Sequence, residues 1–232
     1  MLVIISFINR NTAGGVGTMV YQNPTLFGLA YASRVFREVD RAQAFEKLRE
    51  ETGGALNLQY PDNSGHARAS LKWLNKWGCR INAKSPERLF ERWAEWFRLW
   101  RTRLPDVSLV DAGDGDLDIV ADAYSELRAI LAGASKRPTG ASKLLFAVST
   151  EVAMVWDDPI RKEFGLAGDL VADAARCGVT DWRAIPNEIG RPGYTLPKLL
   201  DEYHWITITR GHQIPALEDL RRCTGLHVEV AA

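Results

Sequence analysis

The chain has 232 residues, enough for one large domain or two small ones and for a core that needs no cross-links. An apolar fraction of 46% and a charged fraction of 25% are globular values and exclude disorder throughout. Lys and Arg (29) balance Asp and Glu (29), so the whole chain has no net attraction for nucleic acid.

Residues 2–8 (LVIISFI) fit either a buried strand or the apolar start of a helix. They are too short to span a bilayer, and no basic stretch precedes them, so the expectation is a soluble cytoplasmic protein with no membrane partner. Residues 9–18 are turn-forming. Gly14, Gly15 and Gly17 lack the Lys-Ser/Thr that would complete a phosphate loop. From Asn23 the chain reads as one helix up to a stop at Gly53-Gly54. A second helix is predicted from about Ala67 to Trp77, closed by Gly78.

The third helix has the clearest signature. Ser85 is placed as N-cap, Pro86 opens the first turn and Glu87 follows. Leu89, Trp93, Trp96 and Trp100 recur at spacings of four, three and four, flanked by Phe90 and Phe97. That spacing predicts a stripe of indoles turned to the core. Beyond Pro105, Asp114, Asp116 and Asp118 alternate as calcium ligands do. The glycine and the closing glutamate of a calcium loop are missing, so a linker and helix cap is the expectation.

Helices are predicted over 117–131, 141–148, 159–164, 169–178, 196–205 and 215–223, with turns over 133–140 and 186–197. Residues 205–209 (WITIT) fit strand or helix, and LHVEV near the end fits a short strand. The expected fold is mainly α. It is a single globular helical domain over 1–232 with a few short strands at the termini, and any division falls into lobes of about 1–132 and 133–232.

Charge is uneven. Residues 68–103 carry ten Lys/Arg against three Glu, and residues 104–134 carry seven acids against Arg128. The basic block can track a phosphate backbone, or the two blocks can neutralise each other across a packed interface. Cys79, Cys177 and Cys223 are odd in number and far apart. With no CxxC or Cys/His cluster, reduced thiols are expected and a metal site is not.

The segment Thr139 to Phe164, TGASKLLFAVSTEVAMVWDDPIRKEF, carries the most chemistry. It sets Lys143 at the start of one apolar helix and Asp157-Asp158 at the start of the next. Met154-Val155-Trp156-Asp157, followed by Asp158-Pro159 and Ile160-Arg161-Lys162, resembles the catalytic segment of the helix-hairpin-helix-GPD DNA glycosylases. In that resemblance Asp157 falls on the catalytic carboxylate and Lys143 beside the lysine of the bifunctional members. The resemblance implies cleavage of an N-glycosidic bond on a flipped base, with DNA as partner and no cofactor. A carboxylate there stabilises the sugar cation or activates water, and an amine can attack the sugar carbon.

The implied catalytic set is Asp157, Lys143 and Asp158. The implied DNA contacts are Lys72, Lys76, Arg80, Lys136, Arg137, Gly140 and Ser142. Where the family's hairpin has two glycines around an aliphatic residue, this chain has Pro138-Thr139-Gly140-Ala141-Ser142, with one. Each residue also has a plain reading. Asp157 ahead of a helix that opens with Pro is a routine N-cap, and Asp158 suits the positive end of the same helix. Lys143 is then a first-turn lysine, and Trp156 is core.

A second cluster, Tyr203-His204-Trp205 with Thr207, Thr209, Arg210 and His212, offers His204 or His212 as a general base. Cys79 has basic neighbours that would activate a thiol, but no partner His is identifiable. Two functions stand: a glycosylase-like enzyme, or a non-catalytic helical protein that binds nucleic acid or a partner protein.

Overall fold

The computed structural model describes residues 24–40, 43–81, 85–131, 137–160 and 184–215, apart from Thr25 and Trp156. The expectations for 2–8, 9–18, 161–164 of the helix over 159–164, 169–178, all but the first residue of 215–223 and LHVEV, and for Trp156, Cys177 and Cys223, lie outside the described residues. Those described are mainly α-helical, with no strand among them. No described helix is long and apolar enough to cross a membrane.

The helix expected from Asn23 to Thr52 is two helices, α1 (Leu26–Val39) and α2 (Ala44–Glu51). Asp40 breaks it. Its carboxylate accepts the Ala44 amide at 3.0 Å and so caps α2 from outside, while Gln43 takes a left-handed φ of 47°. The far end of α2 closes as expected. Thr52 Oγ1 donates to Leu48 O at 2.9 Å, and Gly53 and Gly54 supply the positive φ values that reverse the chain.

Next come α3 (Ser64–Lys76) and α4 (Pro86–Trp100). Trp93, Trp96 and Trp100 are buried, as their spacing predicts. Ser85 holds the N-cap position of α4, but its side chain makes no cap bond. Helix α5 (Asp114–Ile130) packs on α4. The acidic run is its first turn, where Asp116 Oδ2 accepts the Gly113 amide at 2.9 Å and the Asp116 amide donates to Gly113 O at 3.0 Å. The α4–α5 seam is stitched by polar atoms. Trp96 Nε1 donates to Ala123 O at 3.0 Å, Trp100 Nε1 to Glu126 Oε2 at 2.6 Å, and Arg92 to Ile130 O at 3.1 Å.

Helix α6 (Arg137–Val148) begins earlier than predicted and takes in Pro138, Thr139 and Gly140. A Cβ added at Gly140 would meet Leu131 Cδ1 at 3.2 Å, so the glycine is what lets α6 lie against the end of α5. A single-turn α7 (Ile185–Glu188) leads to α8 (Leu196–His204), which packs on α1. The ambiguous Trp205–Thr209 is a π-helical continuation of α8. One hydrophobic cluster runs from Leu29 to Ile206 and takes in residues from every described helix.

Candidate functional site

Helix α6 is apolar on nearly all sides, and Ala141 to Ala147 are all buried. Lys143 therefore enters the interior and is only 8% exposed. Its ammonium lies over two indoles, 4.8 Å from the Trp77 centroid and 5.9 Å from that of Trp73. A cation held over ring faces keeps part of the stabilisation it loses on leaving water. Trp77 is backed by Phe36, stacked at 5.6 Å, and meets Trp205 edge-on at 6.3 Å.

Asp157 is half-buried and stands where the chain leaves the buried run Val152–Val155 to start a new helical turn at 158–160. Oδ1 accepts the Ile160 amide at 3.2 Å, the N-cap bond that an Asp before Pro predicts. Oδ2 accepts the Thr209 hydroxyl at 2.8 Å, across 52 positions of sequence. Burial pushes the Asp157 carboxyl above its ordinary range. The Thr209 and Ile160 bonds oppose that, nearby Asp201 adds to it, and Lys143 counters it. Lys143 and Asp157 thus stand within electrostatic reach of each other, brought there by α6 and the following turn. Asp158 is half-buried at the head of the same turn.

Behind them lies a buried ionic layer that the sequence reading does not single out. Lys198 Nζ contacts Asp201 Oδ2 at 2.9 Å and Glu202 Oε1 at 3.2 Å. Arg191 reaches Glu202 at 3.2 Å and Glu46 of α2 at 3.7 Å. Burial alone would lower the Lys198 pKa, but Asp201 and Glu202 outweigh it and hold the group above the ordinary lysine value. Burial raises the Glu202 carboxyl, against the pull of Lys198 and Arg191. The legible signal is that Lys198, Asp201 and Glu202 follow an i, i+3, i+4 pattern among apolar neighbours, so α8 has too few exposed positions to hold its charges.

Lys72, Lys76 and Arg80 are exposed. Lys72 and Lys76 share the solvent side of α3 with Arg68, and Lys72 pairs with Glu51 at 3.2 Å. Arg80 follows α3 in a left-handed conformation, with Asn75 holding both the amide and the carbonyl of Ile81 beside it. Gly140 and Ser142 are buried, and the Ser142 hydroxyl donates to Thr139 O at 3.0 Å. Lys136 and the Arg137 side chain lie outside the described residues.

Burial pushes the His204 imidazole down to about 4, partly opposed by Asp201, so it is neutral near pH 7. His212 is exposed, and Cys79 is fully buried. Among the described residues no group of His, Cys, Asp and Glu could hold a metal ion. The arrangement can offer a half-buried carboxylate to a developing cation, with an amine, itself held over two indoles, in electrostatic reach. Compared with known proteins, the chain matches no family model, no curated protein and no solved structure.

Proposed function

We propose that this protein is a DNA glycosylase-like enzyme that cleaves the N-glycosidic bond of a flipped base. The observation that carries the reading is Asp157: a half-buried carboxylate at a helix start, oriented by Ile160 and Thr209, with Lys143 in electrostatic reach. In such a site the carboxylate faces the sugar as positive charge develops on it, and low local polarity strengthens that attraction. Lys143 is the amine that would attack the sugar carbon. Exposed Lys72, Lys76 and Arg80 are the proposed phosphate contacts. Gly140 and Ser142, being buried, support the packing of α6.

A second reading has an observation of its own. Both Asp157 oxygens accept bonds from the protein itself, and Lys143 is nearly enclosed by Trp73 and Trp77. That suits a structural knot in a non-catalytic helical protein that binds nucleic acid or another protein.

Asp157→Asn separates the two. Asn caps a helix about as well as Asp, so stability should change by less than roughly 1 kcal/mol in either case. A neutral amide stabilises a developing cation poorly and cannot act as a base, so the enzyme should lose base release by about 100-fold or more while still binding DNA. The assay offers duplexes with normal, damaged and modified bases and reveals abasic sites by alkaline cleavage. An active parent whose variant keeps full activity moves the chemistry away from Asp157. A parent inert on every base leaves the knot.

A further inference from the structure

The π-helical turn after α8 has a geometric effect that an α-helix would not. The Arg210 amide donates to Trp205 O at 2.9 Å, five residues back, so the turn is wider than the helix before it. Widening changes the direction in which the last side chains leave the axis. The two threonines of the turn differ accordingly. The Thr207 hydroxyl donates to Tyr203 O at 2.8 Å, the bond back to its own helix that a helical threonine usually makes. The Thr209 hydroxyl donates away from its own element to Asp157 Oδ2 at 2.8 Å.

The geometry points to Thr209 as the positioning residue of Asp157, with the π turn as the device that delivers its hydroxyl to the carboxylate. This rests on the glycosylase-like reading above and extends it to a residue outside the segment 139–164. With Oδ1 on the Ile160 amide and Oδ2 on Thr209, rotation about the carboxylate is fixed from two elements far apart in sequence. Each oxygen keeps acceptor capacity for a substrate or a water. The hydroxyl also favours the ionised carboxylate, the form a developing cation requires. Other groups act on the same carboxyl: Lys143 from α6 favours ionisation, and Asp201 from α8 opposes it.

The test compares the full-length chain with Thr209→Val, which keeps shape and loses the donor, and Thr209→Ser, which keeps the donor. Base release is followed from acid to neutral pH, and the Asp157 carboxyl is titrated by NMR. Thr209→Val should lose base release by about 10- to 100-fold, the scale set by misplacing a reacting group. Its acid limb and the Asp157 titration should both move to higher pH, and Thr209→Ser should return all three towards the parent. A structural role alone would lower the melting temperature without moving the pH profile. Should Thr209→Val not fold, Thr209→Ala against Thr209→Ser makes the same comparison. An active parent whose donor-less variants keep both rate and pH profile overturns the assignment of Thr209 and leaves the glycosylase-like reading standing. A parent that releases no base overturns both.

Discussion

His204 shows how one buried residue sets a pH limit. It is 3% exposed, and burial pushes its pKa down from 6.5 to about 4. The unfolded chain then takes up a proton in a range where the folded chain does not, so protonation favours unfolding. The contribution is complete above pH 6.5 and is lost as pH falls towards 4. By linkage it is on the order of 3 kcal/mol over that window. Glu202 and Asp157, both raised by burial, act with the opposite sign as pH falls, so the parent's own curve mixes the three. The difference between parent and His204→Gln isolates the imidazole. Urea unfolding should show the parent's stability falling relative to the variant between pH 6.5 and 4, and parallel curves would show that His204 meets water. At this scale the sequence was half legible. Asp157 could be read as a cap because its local partner, Ile160, is three residues away. Its second partner, Thr209, depends on a turn whose period no pattern of apolar residues encodes, and the weight of Lys198, Asp201 and Glu202 depends on burial that three-dimensional packing alone decides.

Among the elements, periodicity carried furthest where one face is unambiguous. Trp93, Trp96 and Trp100 of α4 are buried as spaced, whereas the charged blocks around them needed the structure. Part of the basic block stitches α4 to α5, with Arg92 on the last carbonyls of α5, and part of it lies exposed along α3. The run from Asn23 to Thr52 kept its helical pattern across a real break, because Asp40 ends one helix and caps the next with residues that an uninterrupted helix would tolerate. Gly140, expected in the turn over 133–140, lies within α6 and packs against Leu131 at the end of α5. Gly140→Val should force Leu131 and Ile81 aside and cost about 1–3 kcal/mol, the usual penalty for overpacking. The check is a lower urea midpoint with an unchanged slope. A midpoint equal to the parent's would mean that the seam has slack.

On the scale of the whole molecule, Lys198 joins three helices, α1, α2 and α8. Its ammonium meets Asp201 and Glu202, lies 4.5 Å from the Phe36 ring of α1 and 5.8 Å from that of Phe45 in α2, and shares Glu202 with Arg191. Lys198→Met would keep the bulk and leave two acids without that ammonium. Breaking a buried pair by removing one partner costs about 3–5 kcal/mol. Denaturant unfolding of Lys198→Met at pH 7 should show that loss, and a change below about 1 kcal/mol would place water within the layer.

The stretch leading into α8 holds a further consequence. Arg49 of α2 donates to Gly193 O at 2.9 Å, Arg191 reaches Glu46 and Glu202, and Thr195 Oγ1 donates to Thr150 O at 2.7 Å. A nine-residue helix would ordinarily fray at its start, because its first amides have no partner within the helix. Here that start is tethered from the outside by two separate parts of the chain, so its opening is coupled to theirs. Amide hydrogens in the middle of α8 should then exchange with solvent only when α2 and the turn at Thr150 also let go, at close to the free energy of unfolding the whole protein. Among the described residues, the helix that carries Asp201, and that leads into the turn bearing Thr209, should thus be among the last to yield.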